Sequence, residues 1–174
     1  RPPWLDTVSR NKNNAEANLN RPLTAQLDSI YTTEQGGRMK LEGVTKQYGW
    51  DSKEMTTLWK QISRQDSVNL IAVKKILDQY GWLGSDVVGQ KGNTTLFLVI
   101  QHADLATQEK YLPLMREAVK TGKAAGSNLA LLEDRVALGQ HKKQLYGSQI
   151  GQYQDTKLYY VLPLEDPDNV DKRR

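Results

Sequence analysis

The stretch that decides the fold is residues 65–79, QDSVNLIAVKKILDQ. Its apolar residues recur at intervals of three and four, the spacing that places side chains on one face of an α-helix. Two polar residues, Asp66 and Asn69, fall inside the apolar arc. The stretch therefore predicts a core-facing helix that points polar groups inward. The apolar members of the arc are Val68, Leu70, Ala72, Val73, Ile76 and Leu77.

Similar patterns on both sides of this stretch predict further helices. Pro22 suits the first position of a helix, whereas Gly36-Gly37 is expected to interrupt or kink the helix that begins there. The apolar run 96–100 could be a buried strand or a buried helix, and its helical neighbours favour a helix. Other helices are predicted to end at Tyr48, to run from a cap at Asp51 or Ser52 through Ile62, and to cover 106–120 and 128–138.

Glycines and a change of period mark the non-helical parts. The glycines at positions 84, 89 and 92 predict a loop over 83–92. Near the C-terminus the apolar period drops to two, which predicts a β-hairpin from 144–151 and 157–162 with its turn near 154–156. Gln-Tyr-Gly-Trp occurs at 47–50 and again at 79–82. Shared helix capping explains this echo best, and a repeated helical hairpin stays open as an alternative.

Together these patterns predict a mainly α (α+β) fold, a multi-helix bundle with a C-terminal β-hairpin. Residues 1–21, rich in Asn, Arg and Pro, are expected to form a poorly structured lead-in. Residues 22–174 are expected to form one mainly helical domain that is truncated at its C-terminal end.

The composition excludes several classes of site. The 174 residues contain no cysteine and only two histidines, so disulfide frameworks, thiolate zinc sites and cysteine nucleophiles are out. We expect no metal site and no cofactor. The net charge of +4 is spread along the chain without a dense basic stripe, which disfavours nucleic-acid binding. No apolar run is long enough to span a membrane. The start at Arg1 fits a removed signal peptide, and the compartment stays open.

Several predicted helices point charged groups inward. Asp134 lies among apolar residues of the 128–138 helix, with Arg135 at the border, and His102 follows one turn after the most apolar run. If the first helix continues through its glycines, Glu34 and Arg38 extend its apolar stripe. Burying a carboxylate alone is prohibitive, so these groups must meet one another or face a wet pocket.

Three short motifs resemble those of a bacterial family known only as a domain of unknown function. They are Gln-His-Ala-Asp at 101–104, Asp-Arg at 134–135 and Gln-Leu-Tyr-Gly-Ser-Gln at 144–149, where the family has Gln-x-Tyr-Gly-Thr-Gln. A Gly-Trp pair at 81–82 also fits, although Leu83 stands where a Pro commonly follows. The resemblance spans about 23–174 and implies no activity. Positions that match are Gln35, Arg38, Asp66, Asn69, Gly81, Trp82, Gly89, His102, Asp104, Asp134, Arg135, Gln144, Tyr146, Gly147 and Gln149, with Pro163, Glu165, Asp171 and Arg173 near the end.

The leading functional hypothesis is a pocket that binds a small polar or anionic ligand, either without chemistry or with hydrolase-type acid/base catalysis by His102. The alternative is a structural or protein-interaction module whose polar network only locks the helices together. Whether the protein is an enzyme, and its oligomeric state, stay open. The candidate catalytic residues are His102, Asp104 and Asp134, and the candidate ligand-binding residues are Arg38, Asp66, Asn69, Gln101, Arg135, Gln144, Tyr146 and Gln149.

Overall fold

The computed structural model describes residues 18–153 and 158–172. These residues form six α-helices followed by a two-stranded antiparallel sheet, which confirms the predicted mainly α fold with a C-terminal hairpin. None of the described helices is long and apolar enough to cross a membrane. The predicted turn at 154–156 and most of the predicted lead-in lie outside the described residues. The helices are α1 Arg21–Arg38, α2 Leu41–Tyr48, α3 Lys53–Tyr80, α4 Ser85–Gln101, α5 Leu105–Lys120 and α6 Gly126–Gly139.

The chain divides into two compact units, with the boundary between His102 and Ala103. In the first unit, α1 packs against α3 and α4, and α3 also packs against α2 and α4. Leu27 of α1, Val73 of α3 and Leu96 of α4 are completely buried in this unit. In the second unit, α5 packs against α6, and Met115 and Leu132 are completely buried.

Helix α3 corrects two predictions. Two separate helices were expected, but one helix of 28 residues runs from Lys53 to Tyr80, because neither glycine nor proline interrupts it. Ser52 caps its start by accepting a hydrogen bond from the backbone N–H of Met55 at 3.1 Å. Its buried face follows three-and-four spacing, and Val68, expected inside, is 60% exposed. The buried residues of α3 are Met55, Leu58, Ile62, Asn69, Val73, Ile76 and Leu77.

Glycines lie inside helices where interruptions were expected. Helix α1 continues through Gly36-Gly37 to Arg38. A Cβ at Gly37 would lie 2.5 Å from Cγ1 of Ile62, so the missing side chain lets α1 approach α3. The predicted loop over 83–92 is wrong for most of its length, because α4 begins at Ser85 and accommodates Gly89, with a φ of 73°, as a local kink.

The second unit ends in a short hairpin. Strands β1 (Ile150–Gln152) and β2 (Tyr159–Val161) pair in antiparallel register, with Gly151 opposite Tyr160. Both strands are shorter than predicted. The phenol ring of Tyr160 occupies the space where a Cβ of Gly151 would lie, at 2.5 Å. Residues Pro167–Lys172 then form a 3-10 helix.

Candidate functional site

Glu34 is the centre of a polar cluster in the first unit. It lies on the same face of α1 as Leu27 and Ile30, and it is only 1% exposed. Its carboxylate meets three donors: Nδ1 of His102 at 2.6 Å, Nη1 of Arg38 at 2.9 Å and Nδ2 of Asn69 at 3.1 Å. A buried carboxylate needs such partners, because desolvation without them is prohibitive.

These partners also decide the ionisation of Glu34. Burial by itself raises the pKa of the carboxyl, but the hydrogen bonds from His102 and Asn69 and the charges of Arg38 and His102 outweigh it. The net result is a pKa below the ordinary value of 4.5. Glu34 is therefore an anion at neutral pH, held in the core by donors from two helices, α1 and α3, and from the end of α4.

Arg38 joins this carboxylate to a second one. Its Nη1 and Nη2 donate to the two carboxylate oxygens of Asp66, each at 2.9 Å. This two-bond geometry is the strong form of an Arg–carboxylate pair. The side chains of Arg38 and Asp66 are 17% and 25% exposed, so the pair forms the partly open edge of the cluster.

Asn69 links the same cluster to α3. While its Nδ2 donates to Glu34, its Oδ1 accepts a hydrogen bond from Nε2 of Gln65 at 3.0 Å. The amide is buried and thus uses both its donor and its acceptor side, which fixes its orientation.

His102 occupies the end of α4, one residue beyond Gln101. Glu34 can only accept, so the hydrogen of the 2.6 Å contact lies on Nδ1 of His102. The side chain of His102 is 20% exposed. In the part of the chain that the structure describes, Nε2 of His102 has no hydrogen-bond partner. This leaves Nε2 able to accept or donate a proton.

A second polar cluster, in the second unit, surrounds Asp134. This residue of α6 is completely buried. Its carboxylate accepts backbone N–H groups of Leu145 at 2.7 Å, Tyr146 at 2.9 Å and Ser148 at 2.9 Å. Gly147, between them, has a φ of 69°, a conformation that glycine adopts without strain. Asp134 thus holds the 145–148 turn against α6.

Gln144 holds the same segment to the hairpin. Its buried Nε2 donates to the carbonyl oxygens of Gln149 at 2.9 Å and Leu162 at 2.8 Å. Its Oε1 accepts the backbone N–H of Gln149 at 2.9 Å. The side chain of Gln149 in turn accepts from Nη2 of Arg135 at 3.2 Å. These glutamines and Arg135 form one network around the turn.

A family model covers both clusters. The model, described as a family of unknown function (DUF6624), matches residues 24–174. The chain belongs to the DUF6624 family. No curated protein and no solved structure matches the chain. The DUF6624 match extends over the whole of both clusters, so the Glu34 cluster and the Asp134 cluster are parts of the family domain.

Nine of the eleven predicted site residues of this DUF6624 domain fall into two groups. His102 lies with Arg38, Asp66 and Asn69 around Glu34 in the first unit. Asp134, Arg135, Gln144, Tyr146 and Gln149 lie together in the second unit. Burial raises the pKa of the Tyr146 phenol, and a hydrogen bond to Glu133 with the charge of that carboxylate raises it further.

For two residues, Asp104 and Glu34, the position in the structure differs from what the sequence analysis led us to expect. Asp104 is exposed, and its carboxylate accepts the backbone N–H of Thr107 at 2.8 Å as the N-cap of α5. Glu34 was placed on the α1 stripe but was not among the candidate site residues. The sequence periodicity could have identified Glu34. If α1 continues past Gly36-Gly37, then Leu27, Ile30, Glu34 and Arg38 recur at helical spacing on one face.

Proposed function

We propose that this domain binds a small polar ligand at the Glu34 cluster and that His102 transfers a proton to or from it as a general acid or base. The class of chemistry is hydrolytic. The observation that carries the proposal is the 2.6 Å contact between the buried Glu34 carboxylate and Nδ1 of His102, which leaves Nε2 without a partner among the described residues.

A carboxylate behind an imidazole supports acid/base catalysis in two ways. It fixes the tautomer, so that the ring nitrogen facing away from it carries the reactive lone pair, and it stabilises the imidazolium that forms when His102 takes up a proton. Glu34 suits this supporting role because it stays ionised, with its pKa held below 4.5.

The charges of the cluster favour a neutral polar ligand over an anion. Arg38, its arginine, already contacts Glu34 at 2.9 Å and both oxygens of Asp66 at 2.9 Å. Two carboxylates therefore neutralise this guanidinium before any ligand arrives. A hydroxyl, amide or ester can exchange a hydrogen bond with Nε2 of His102 without adding charge to the cluster.

A structural role is the alternative, and one observation favours it. Asn69 and Glu34 have partners on α1, α3 and His102, as a network that only locks helices together requires. In this alternative, the same contacts specify how α1 and α3 pack, and no ligand is involved.

Hydrolysis assays separate the two roles. We expect the full chain to hydrolyse the neutral ester p-nitrophenyl acetate in preference to the anionic esters p-nitrophenyl phosphate and bis(p-nitrophenyl) phosphate. His102→Gln should reduce kcat by about 100-fold or more while changing Tm little. Glu34→Gln should also reduce kcat, and Glu42→Gln, at an exposed i,i+4 pair with Lys46, should leave it unchanged.

Nitrogen-15 NMR of the imidazoles provides a second readout. Neutral His102 should carry its hydrogen on Nδ1 because the Glu34 carboxylate accepts it, and the exposed His141 serves as the internal reference. An Nε2–H tautomer for His102 would contradict the geometry. No turnover by the unaltered protein on the three substrates, with Tm reduced by His102→Gln, would overturn the catalytic proposal in favour of the structural one.

A further inference from the structure

A groove in the second unit lies between α5, α6 and the segment that follows α6. Its volume is about 740 Å³, which falls in the range of small-molecule sites. The apolar residues that line it are Leu112, Val136, Ala137 and Leu145. We call it the α5–α6 groove.

The groove is lined by more cationic than anionic side chains. Arg116, Lys142 and Lys143 face two carboxylates, Glu133 and Glu165. Nε of Arg116 is 2.7 Å from Oε1 of Glu133, so this pair neutralises itself. Nζ of Lys142 instead donates to an amide oxygen, Oε1 of Gln140, at 2.8 Å. Lys142 has no ion-pair partner in the part of the chain that the structure describes. Lys143 has no ion-pair partner among residues 18–153 and 158–172.

The backbone holds these cations in a fixed and strained turn. The N–H of Lys142 donates to the carbonyl oxygen of Ala137 at 2.8 Å, and that of His141 to Leu138 at 3.0 Å. This pair of bonds is the Schellman motif, in which the left-handed position usually holds glycine. Here His141 holds it, with a φ of 59°.

A side chain in this conformation is strained, and such strain concentrates at binding sites. Glycine would end α6 with less strain, but it would remove the imidazole from the lining of the groove. His141 therefore places an imidazole beside the two lysines in a conformation that glycine would adopt with less strain.

We propose that the α5–α6 groove binds an organic anion, a carboxylate, sulfonate or phosphate group carried on an apolar body. Lys142 and Lys143 contact the anionic group, and Leu112, Val136 and Leu145 contact the apolar body. This site is separate in chemistry from the Glu34 cluster, whose arginine is neutralised.

Backbone amide NMR titration of the full chain tests the ligand class, with octanoate, octanol and inorganic phosphate as the probes. Octanoate combines both features, octanol lacks the charge and phosphate lacks the apolar body. We expect octanoate to bind more tightly than either of the other two and to shift the amide signals of Lys143 and Leu145. Equal affinity for phosphate and octanoate, or for octanol and octanoate, would overturn the proposal.

Two sets of variants test the residues. Lys142→Ala/Lys143→Ala should weaken octanoate binding roughly three- to tenfold, since an exposed charge contact has a modest effect. The matched control is Lys74→Ala/Lys75→Ala, an adjacent lysine pair on α3, which changes net charge equally and should leave affinity unchanged. An equal loss in both double variants would indicate a non-specific charge effect and would contradict the proposal.

His141→Gly distinguishes binding from helix capping. Because glycine adopts the left-handed conformation without strain, this change should raise Tm while weakening octanoate binding. If the basic residues served only the C-terminal dipole of α6, the lysine variants would lower Tm and leave octanoate affinity unaltered. That result would overturn the proposal.

Discussion

The Asp134 carboxylate is completely buried, and no cation is among its hydrogen-bond partners in the described residues. It accepts backbone N–H groups of the 145–148 turn at 2.7 to 2.9 Å, and hydrogen bonds to an ionised acceptor are stronger than neutral ones. This arrangement favours a positioning role for Asp134, which was a candidate for catalysis in the sequence. The negative charge organises a turn, and the turn presents Tyr146 and leads into the hairpin.

We predict that Asp134→Ala lowers the free energy of unfolding by about 3 kcal/mol, because it leaves buried N–H groups of the turn without acceptors. Urea unfolding measures the change, and amide hydrogen exchange should show the largest loss of protection at Tyr146 and Ser148. Glu117→Ala is the control, at a side chain 65% exposed. Equal stability of the Asp134 variant and the parent would mean that the carboxylate lines an open pocket instead.

Single residues were predictable when their environment depended on one helix. Asp66 and Asn69 point to the core because they share the α3 face with apolar residues, and the structure brings both next to Arg38 and Glu34. The partner of Asp134 was not predictable, since backbone N–H groups are present at every residue and leave no mark in the sequence. Asp104 was ambiguous for a similar reason, because a helix N-cap and a catalytic acid use the same side chain.

At the scale of elements, periodicity located the helices better than it located their ends or faces. Helices α5 and α6 begin within two residues of their predicted starts. On the predicted apolar face of α3, Val73, Ile76 and Leu77 are buried, whereas Val68 is 60% exposed. Hydrophobicity alone cannot tell which apolar residues a helix buries, since packing partners decide it. The predicted helix interruptions at glycines were wrong for a similar reason, because a glycine can allow two helices to pack closely as well as form a turn.

We predict opposite effects for two neighbouring glycines of α1. Gly37→Ala should lower the free energy of unfolding by about 1–3 kcal/mol, because the new Cβ overlaps Ile62 and forces α1 away from α3. Gly36→Ala should raise it by about 0.5–1 kcal/mol, because nothing lies within 4 Å of the added Cβ and alanine favours the helix. Thermal unfolding of both variants measures the difference. Equal shifts would contradict the close packing of α1 on α3.

At the scale of the whole chain, the class of fold was predictable from the sequence, and the single domain expected over 22–174 stays a prediction. A mainly α chain with a terminal hairpin follows from periods of 3.6 and 2. The sequence suggested one domain over 22–174, and the structure resolves two compact units that meet in the chain at residues 102–103. That boundary falls inside the Gln-His-Ala-Asp motif, so a motif contiguous in sequence contributes His102 to the Glu34 cluster and Asp104 to the cap of α5.

The stability of the whole protein should depend on the charge of Glu34. Its pKa is lower in the folded protein than the ordinary 4.5, so the unfolded chain binds the proton more readily. The contribution of Glu34 to stability is then fully present above about pH 4.5 and is lost as the pH falls through the folded pKa. Urea unfolding over a series from about pH 7 to about pH 3 measures this loss of stability at acidic pH.

Glu34→Gln should lower the free energy of unfolding by about 2 kcal/mol at neutral pH, the range for hydrogen bonds to a charged group. The difference between the parent and this variant should shrink as the pH falls, because protonated Glu34 resembles glutamine. Glu42→Gln, at an exposed pair, should follow the parent at every pH. A difference that stayed constant down to about pH 3 would show that folding does not lower the pKa of Glu34, which would contradict the partners assigned to its carboxylate.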